Sequence, residues 1–163
     1  MPKVLHGVQK IVSGGQTGVD RGALEAAIAL GLQHGGWCPQ GRLAEDGPIA
    51  SKYQLQELDS SDYAVRTERN VLDSDGTLIL YRQRLQGGTA LTNRLAKQHH
   101  KPLMRVRIDR PLALLDIVDW LRDHQIQVLN VAGPRGSSHP GLQQQACDVL
   151  KKIFATPQEL PYE

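Results

Sequence analysis

The chain has 163 residues, 40% apolar and 22% charged, enough for one core that hides roughly 68–70% of the unfolded surface. This composition excludes a disordered tail, and no apolar run reaches the roughly 18 residues of a membrane span. Cys38 and Cys147 lie too far apart for a disulfide framework or a cysteine-built zinc site, and a net charge of +2 with 4% aromatics argues against nucleic acid.

The N-terminus, Met1 to Gly7, lacks an apolar leader, so a cytoplasmic protein is expected, with no membrane partner. Gln9 to Ser13 reads as the first strand, broken by Gly14 and Gly15. Val19, Ala23, Ala26, Ala27 and Leu30 then recur at helical spacing, and Gly31 is placed as the C-terminal stop. A short strand is predicted over Gly36, Trp37 and Cys38, followed by an irregular stretch from Pro39 to Ile49. Thr77 to Tyr81 is the clearest buried strand, apolar and bounded by Asp75 and Gly76. A helix from about Thr89 to His100 follows, closed by Pro102, and Leu103 to Ile108 is the next strand. Pro111 sits at a predicted helix start, with Leu114, Val118 and Leu121 on one face. Gln127 to Ala132 is the last strand; Leu142, Ala146, Val149, Leu150 and Ile153 mark the closing helix. This alternation predicts a single α/β domain over residues 1–163. Its sheet is doubly wound and mostly parallel, of about five or more strands, with helices on both faces.

Charge is segregated along the chain. From Gly76 to Ile108 there is no acid, while Arg82, Arg84, Arg94, Lys97, Lys101, Arg105 and Arg107 are all basic. Glu57 to Asp75 is acidic in balance. Such neighbours suit an anionic ligand or a contact between unlike patches of two subunits, beside the plainer reading of solvated faces.

Three strand-to-helix loops should meet at the carboxyl edge of the sheet, where ligands bind in such folds. They are Gly14-Gly15-Gln16-Thr17-Gly18-Val19-Asp20, Gly87-Gly88-Thr89 and Gly133-Pro134-Arg135-Gly136-Ser137-Ser138. Glycine lets backbone N–H groups approach an anion, and the helices add their positive ends, so a phosphate-bearing ligand is indicated. The first loop is neither GxGxxG nor a Walker A sequence, and Thr17 with Asp20 also fits a plain capping box. Arg135 matches phosphate geometry with its fork of donors. His99, His100 and Lys101 complement a helix end. His139 reads as a solvated histidine, Cys38 as a small buried residue, and Trp37 as core filling or a surface for a flat ring.

At these residues the sequence resembles the molybdenum cofactor carrier proteins, within a superfamily of nucleotide sensors and phosphoribohydrolases. The match runs through Ser13 to Leu24, Gly36 to Arg42, Ala44 to Gly47, Tyr63, Arg66-Thr67, Asn70-Val71 and Ser74 to Leu78. It continues at Gly87-Gly88-Thr89, Asn130 to Arg135 and Pro140-Gly141, covering roughly residues 8–154 in order. The resemblance implies a Rossmann-like fold, a homo-oligomer, and binding of the metal-bearing molybdenum cofactor (Mo-molybdopterin) for storage or delivery to molybdenum enzymes or insertion proteins. It implies cofactor contacts at Gly14, Gly15, Gln16, Thr17, Gly18, Asp20, Arg21, Gly87, Gly88, Thr89, Gly133, Pro134, Arg135, Gly136, Ser137 and Ser138. No protein ligand to the metal and no catalytic residue is expected. The enzymes of the superfamily carry PGGxGTxxE, with a catalytic glutamate. Here the stretch reads Gln86-Gly87-Gly88-Thr89-Ala90-Leu91-Thr92-Asn93, without the inner glycine or the glutamate. A nucleotide-binding sensor and a nucleoside-monophosphate phosphoribohydrolase are the alternatives, with Asp20, Glu45 and Asp46 as the remaining acids in the loops.

Overall fold

The computed structural model describes residues 3–158; Met1 and Pro2, part of the segment expected to lack a leader, lie outside the described residues. In chain order the first half comprises β1 (Lys10–Val12), α1 (Val19–Leu30), β2 (Gln33–Gly35), β3 (Trp37–Cys38), β4 (Leu43–Ala44), β5 (Gly47–Pro48) and β6 (Gln56–Glu57). The second comprises α2 (Tyr63–Leu72), β7 (Gly76–Tyr81), α3 (Gly87–Gln98), β8 (Leu103–Arg107), α4 (Leu114–Asp123), β9 (Val128–Ala132) and α5 (Leu142–Ile153).

Five strands form a parallel sheet in the order β2-β1-β9-β7-β8. The unbroken apolar run Leu78-Ile79-Leu80 is fully buried on β7, as a strand covered on both faces requires. On one face α1, α4 and α5 share the main apolar cluster with Ile11, Leu78, Leu80 and Leu129. On the other, Val71 of α2 packs with Leu95 and Ala96 of α3. The arrangement is Rossmann-like. Helix α1 approaches α5 closely because position 22 has no side chain: a Cβ there would lie 2.4 Å from the Gln143 carbonyl.

Placing β9 and α5 ahead of β1 would turn the strand order into 3-2-1-4-5, the ordinary doubly wound order. The first and last described segments lie side by side as that rearrangement demands. The Val4 N–H donates to the Phe154 carbonyl at 2.6 Å, and His6 Nε2 lies 2.9 Å from the Thr156 carbonyl. The sheet is thus circularly permuted, and its switch point falls between β9 and β7.

Against the sequence expectations, one strand sits outside the main sheet, one helix start is corrected and one helix is new. The short strand predicted over Gly36 to Cys38 forms at Trp37–Cys38, but it pairs with Gln56–Glu57 outside the main sheet, whose edge strand is Gln33–Gly35. Gly36 bends the chain between them where the backbone touches Ser13, leaving no room for a Cβ, and Asn70 then clamps both backbone groups of Trp37. Pro111 does not start a helix. Residues 111–113 run irregularly and seat Leu112 on the core, and α4 begins at Leu114. Helix α2 was not anticipated at all. Asp62 caps it by accepting the Ala64 N–H at 2.9 Å, but its apolar residues Tyr63, Ala64, Val65, Val71 and Leu72 cluster at its two ends around a polar middle and give no clear helical stripe.

Candidate functional site

The loops after β1, β7 and β9 converge at the carboxyl edge around a pocket of about 490 Å³. It lies at the switch point, where a doubly wound sheet opens a crevice. Of the expected residues, Gly14, Gln16, Asp20, Gly87, Gly88, Thr89, Gly133, Pro134, Arg135 and Ser138 line it. Gly15, Thr17, Gly18, Arg21, Gly136 and Ser137 do not line it and instead take part in contacts that tie the loops to one another.

Those supporting contacts are specific. Arg21 makes a two-pronged ion pair with Asp46 at 2.5 and 2.7 Å, and its Nε donates to the Gly15 carbonyl at 3.1 Å. Thr17 donates its hydroxyl to Glu45 and accepts the Gly136 N–H at 3.0 Å. The capping box therefore does not form; Gly18 is the N-cap of α1 and no side chain caps it. Gly18, at φ +83°, presses against Pro134, where a Cβ would lie 2.4 Å from the carbonyl oxygen. The first and last loops are thus fastened together.

The pocket glycines divide by cause. A Cβ on Gly133 would meet the Leu80 carbonyl at 2.2 Å, and one on Gly14 would meet Arg66 Nη1 at 2.3 Å, so protein packing demands both. Gly88 is different. A Cβ there meets nothing within 4 Å, so protein packing does not account for this glycine, which leaves the start of α3 bare toward the pocket.

Charge in the pocket is lopsided. Arg66, Arg82, Arg84 and Arg135 line it, with Asp20 the one acid among its described lining residues. Arg66 is buried and donates to the Gly14 carbonyl at 2.9 Å; its guanidinium stacks on Tyr63 at 5.2 Å. Arg82 is held by Gln145 at 2.8 and 2.5 Å. Arg135 reaches over Tyr63 at 6.0 Å with its side chain 46% exposed. The field favours an anion.

Asp20 is buried, and desolvation pushes its carboxyl from 3.8 up to about 6 against the opposing pull of Arg66. It accepts the Gln16 N–H at 3.3 Å. Gln16 is buried too. Its Oε1 accepts from the Thr17 and Glu45 N–H groups at 3.1 and 2.9 Å, while Nε2 has no partner. Outside the pocket, Glu45 takes the hydroxyls of Thr17 and Ser137, bonds that hold its carboxyl below the usual range. Cys38 and Cys147 are buried, and desolvation raises both thiols, which makes them inert rather than nucleophilic. Trp37 is half-buried under Arg69 and bonded to Asp73, away from the pocket wall. Lys101 is bound to the Ser74 carbonyl, and His139 does line the pocket.

Sequence reasoning did not place Tyr63, Arg66, Thr67 and Asn70 in the site. Their spacing, i, i+3, i+4 and i+7, marks one face of α2, and that face looks into the pocket. A polar helical stripe was the available signal. Arg82, Arg84 and Asn130 carried no such pattern.

A positively charged pocket at the permuted switch point, walled by glycine loops and arginines, places the chain among the Rossmann-like α/β proteins. The sequence model of the circularly permutated YpsA SLOG family matches residues 11–154, and the chain belongs to that family. It is also similar to a crystal structure described as "Putative molybdenum carrier protein", from Syntrophus aciditrophicus SB. The two share 49% identity and superpose with a TM-score of 0.86, over 92% of this chain and 96% of that one. No curated protein matches the sequence significantly.

Among the described residues no three His, Cys, Asp or Glu side chains gather as a metal site, and no helix is long and apolar enough to cross a membrane.

Proposed function

We propose that this chain binds the molybdenum cofactor and stores or carries it, as the name of its 49% identical relative suggests. The observation that carries the reading is the arginine-lined pocket with open glycine backbone at one end and a buried Asp20–Gln16 pair in its wall. The cofactor is a flat pterin with a dithiolene and a terminal phosphate. Its phosphate would be held at Arg135 and the bare N–H groups of Gly87 and Gly88, and its ring against the polar face of α2. The unpartnered Gln16 Nε2 and the vacant space beside Gly88 fit such a group. When bound, the cofactor brings its molybdenum on the dithiolene; the chain's residues bind, orient and screen it. Release to molybdenum enzymes or insertion proteins then needs no metal–protein bond to break.

The chain binds without converting its ligand, because the position expected for the catalytic glutamate after Thr89 holds no acid: the stretch continues Ala90-Leu91-Thr92-Asn93. One observation favours a second reading. A buried carboxyl raised to about 6 inside a pocket is the profile of a general base, so a nucleoside-monophosphate hydrolase is the competing function. Two measurements separate them. Mass spectrometry of ligand released from native protein should yield molybdopterin, and binding should weaken with salt. Free base appearing from nucleoside monophosphates, and lost in Asp20→Asn, would replace carriage with hydrolysis.

A further inference from the structure

A pocket for an anion has no need of a buried acid, yet Asp20 lines this one at 8% exposure. The arginines that act on it are committed elsewhere: Arg66 to the Gly14 carbonyl, Arg21 to Asp46 and the Gly15 carbonyl. Its carboxylate accepts the Gln16 N–H at 3.3 Å, and the Gly14 N–H also faces it. These donors leave lone pairs on the carboxylate free to accept further N–H groups from the pocket side.

Gln16 adds an independent observation. Two backbone N–H groups fix its Oε1, so the amide cannot be turned over, and the buried Nε2 is left as a donor with no acceptor. An unmade bond at a buried donor is costly, and a ligand oxygen would relieve it. Both residues line the pocket, so one stretch of its wall carries the Asp20 carboxylate and the unpartnered Gln16 amide.

We propose that Asp20 and Gln16 read the 2-amino-4-oxo pyrimidine edge of the bound ring. The Asp20 oxygens accept from the exocyclic amine and the ring N–H, and Gln16 Nε2 donates to the 4-oxo oxygen. Pterins and guanine present this donor–donor–acceptor edge. Hypoxanthine lacks the amine, and adenine puts a lone pair where the ring N–H should be. The inference rests on the reading of the ligand as a pterin and adds the edge by which it is chosen.

The recognition needs the carboxylate form. The groups facing it are Arg66 from α2, Arg21 from α1, and the N–H groups of Gln16 and Gly14, all of which favour the charge that burial opposes. Affinity for the 2-amino ring should therefore fall more steeply below about pH 6 than that of a ring that ignores Asp20, since the phosphate they share, which also titrates at about 6, lowers both alike.

The test is calorimetric titration of the whole protein with guanosine, inosine and adenosine monophosphates, which share one phosphate and differ at the ring edge. The unmodified protein should bind the guanosine compound tenfold or more tighter than either other, and Asp20→Asn should erase most of that ratio. The ratio in the unmodified protein needs no variant to fold. Equal affinities, no binding of the guanosine compound at millimolar concentration, or a ratio unchanged in Asp20→Asn would overturn the proposal. Loading with molybdenum cofactor released from a denatured molybdenum enzyme separates the two claims. Equal loading of both proteins defeats the edge and leaves carriage standing. A tenfold guanosine preference without cofactor loading defeats carriage and leaves the edge standing.

Discussion

The Glu45 carboxylate accepts both the backbone N–H and the hydroxyl of Ser137, at 3.1 and 2.7 Å, across 92 positions of sequence. The same carboxylate takes the Thr17 hydroxyl and lies 3.7 Å from Arg135 Nη1. It fastens the first and last loops and offsets the charge of Arg135 beside the pocket. Glu45→Gln keeps an acceptor and removes the charge. It should bind a phosphate-bearing ligand several-fold tighter at low salt, with the gain shrinking as salt rises, and melt about 2–4 °C lower. Weaker binding in a titration would show that the tie matters more than the charge.

Arg135 supplies a half-exposed guanidinium at the pocket rim. Its removal should cost a charge-assisted phosphate contact of about 1.5–3 kcal/mol, so Arg135→Ala should weaken binding by roughly one to two decades. Arg135→Lys should recover only part of this, since an ammonium lacks the fork. Neither should shift the thermal melt. Unchanged affinity, or lost affinity with a collapsed melt, removes Arg135 from the site.

Gly88 and Gly14 should respond oppositely to a methyl group. A Cβ at Gly88 meets nothing, and alanine is the better helix former, so Gly88→Ala should melt at or slightly above the parent temperature while losing at least tenfold in ligand affinity. Gly14→Ala drives its Cβ into Arg66 and should lower the melting temperature even without ligand. Full affinity in Gly88→Ala would mean that the ligand does not approach α3.

Asp20 makes stability depend on pH with a definite sign. Its folded pKa, about 6, exceeds its ordinary 3.8, so the folded state holds this proton more tightly than the unfolded chain. The penalty is absent below about 4, grows as pH rises, and is complete above about 6, where a shift of this size is worth about 3 kcal/mol. Ligand-free Asp20→Asn should therefore be more stable than the parent at pH 8, and the gap should close toward pH 4. A variant less stable than the parent at pH 8 in denaturant melts would contradict this.

Short-range signals in the sequence were enough for much of the frame. The apolar run at Leu78-Ile79-Leu80 and the helical spacing from Val19 to Leu30, stopped by left-handed Gly31, are written within a dozen residues, and they formed as expected. So did the gathering of three glycine loops, because strand-to-helix loops in a parallel sheet share one edge. Tertiary structure decided what neighbours cannot encode. The permuted strand order depends on β9 inserting between β1 and β7. The place of Arg66 depends on a contact with Gly14 spanning 52 positions, and the role of Arg21 on an Asp46 25 positions away. A side chain's charge and shape are local properties; which partner satisfies it, and whether water is excluded around it, is set only when distant segments pack.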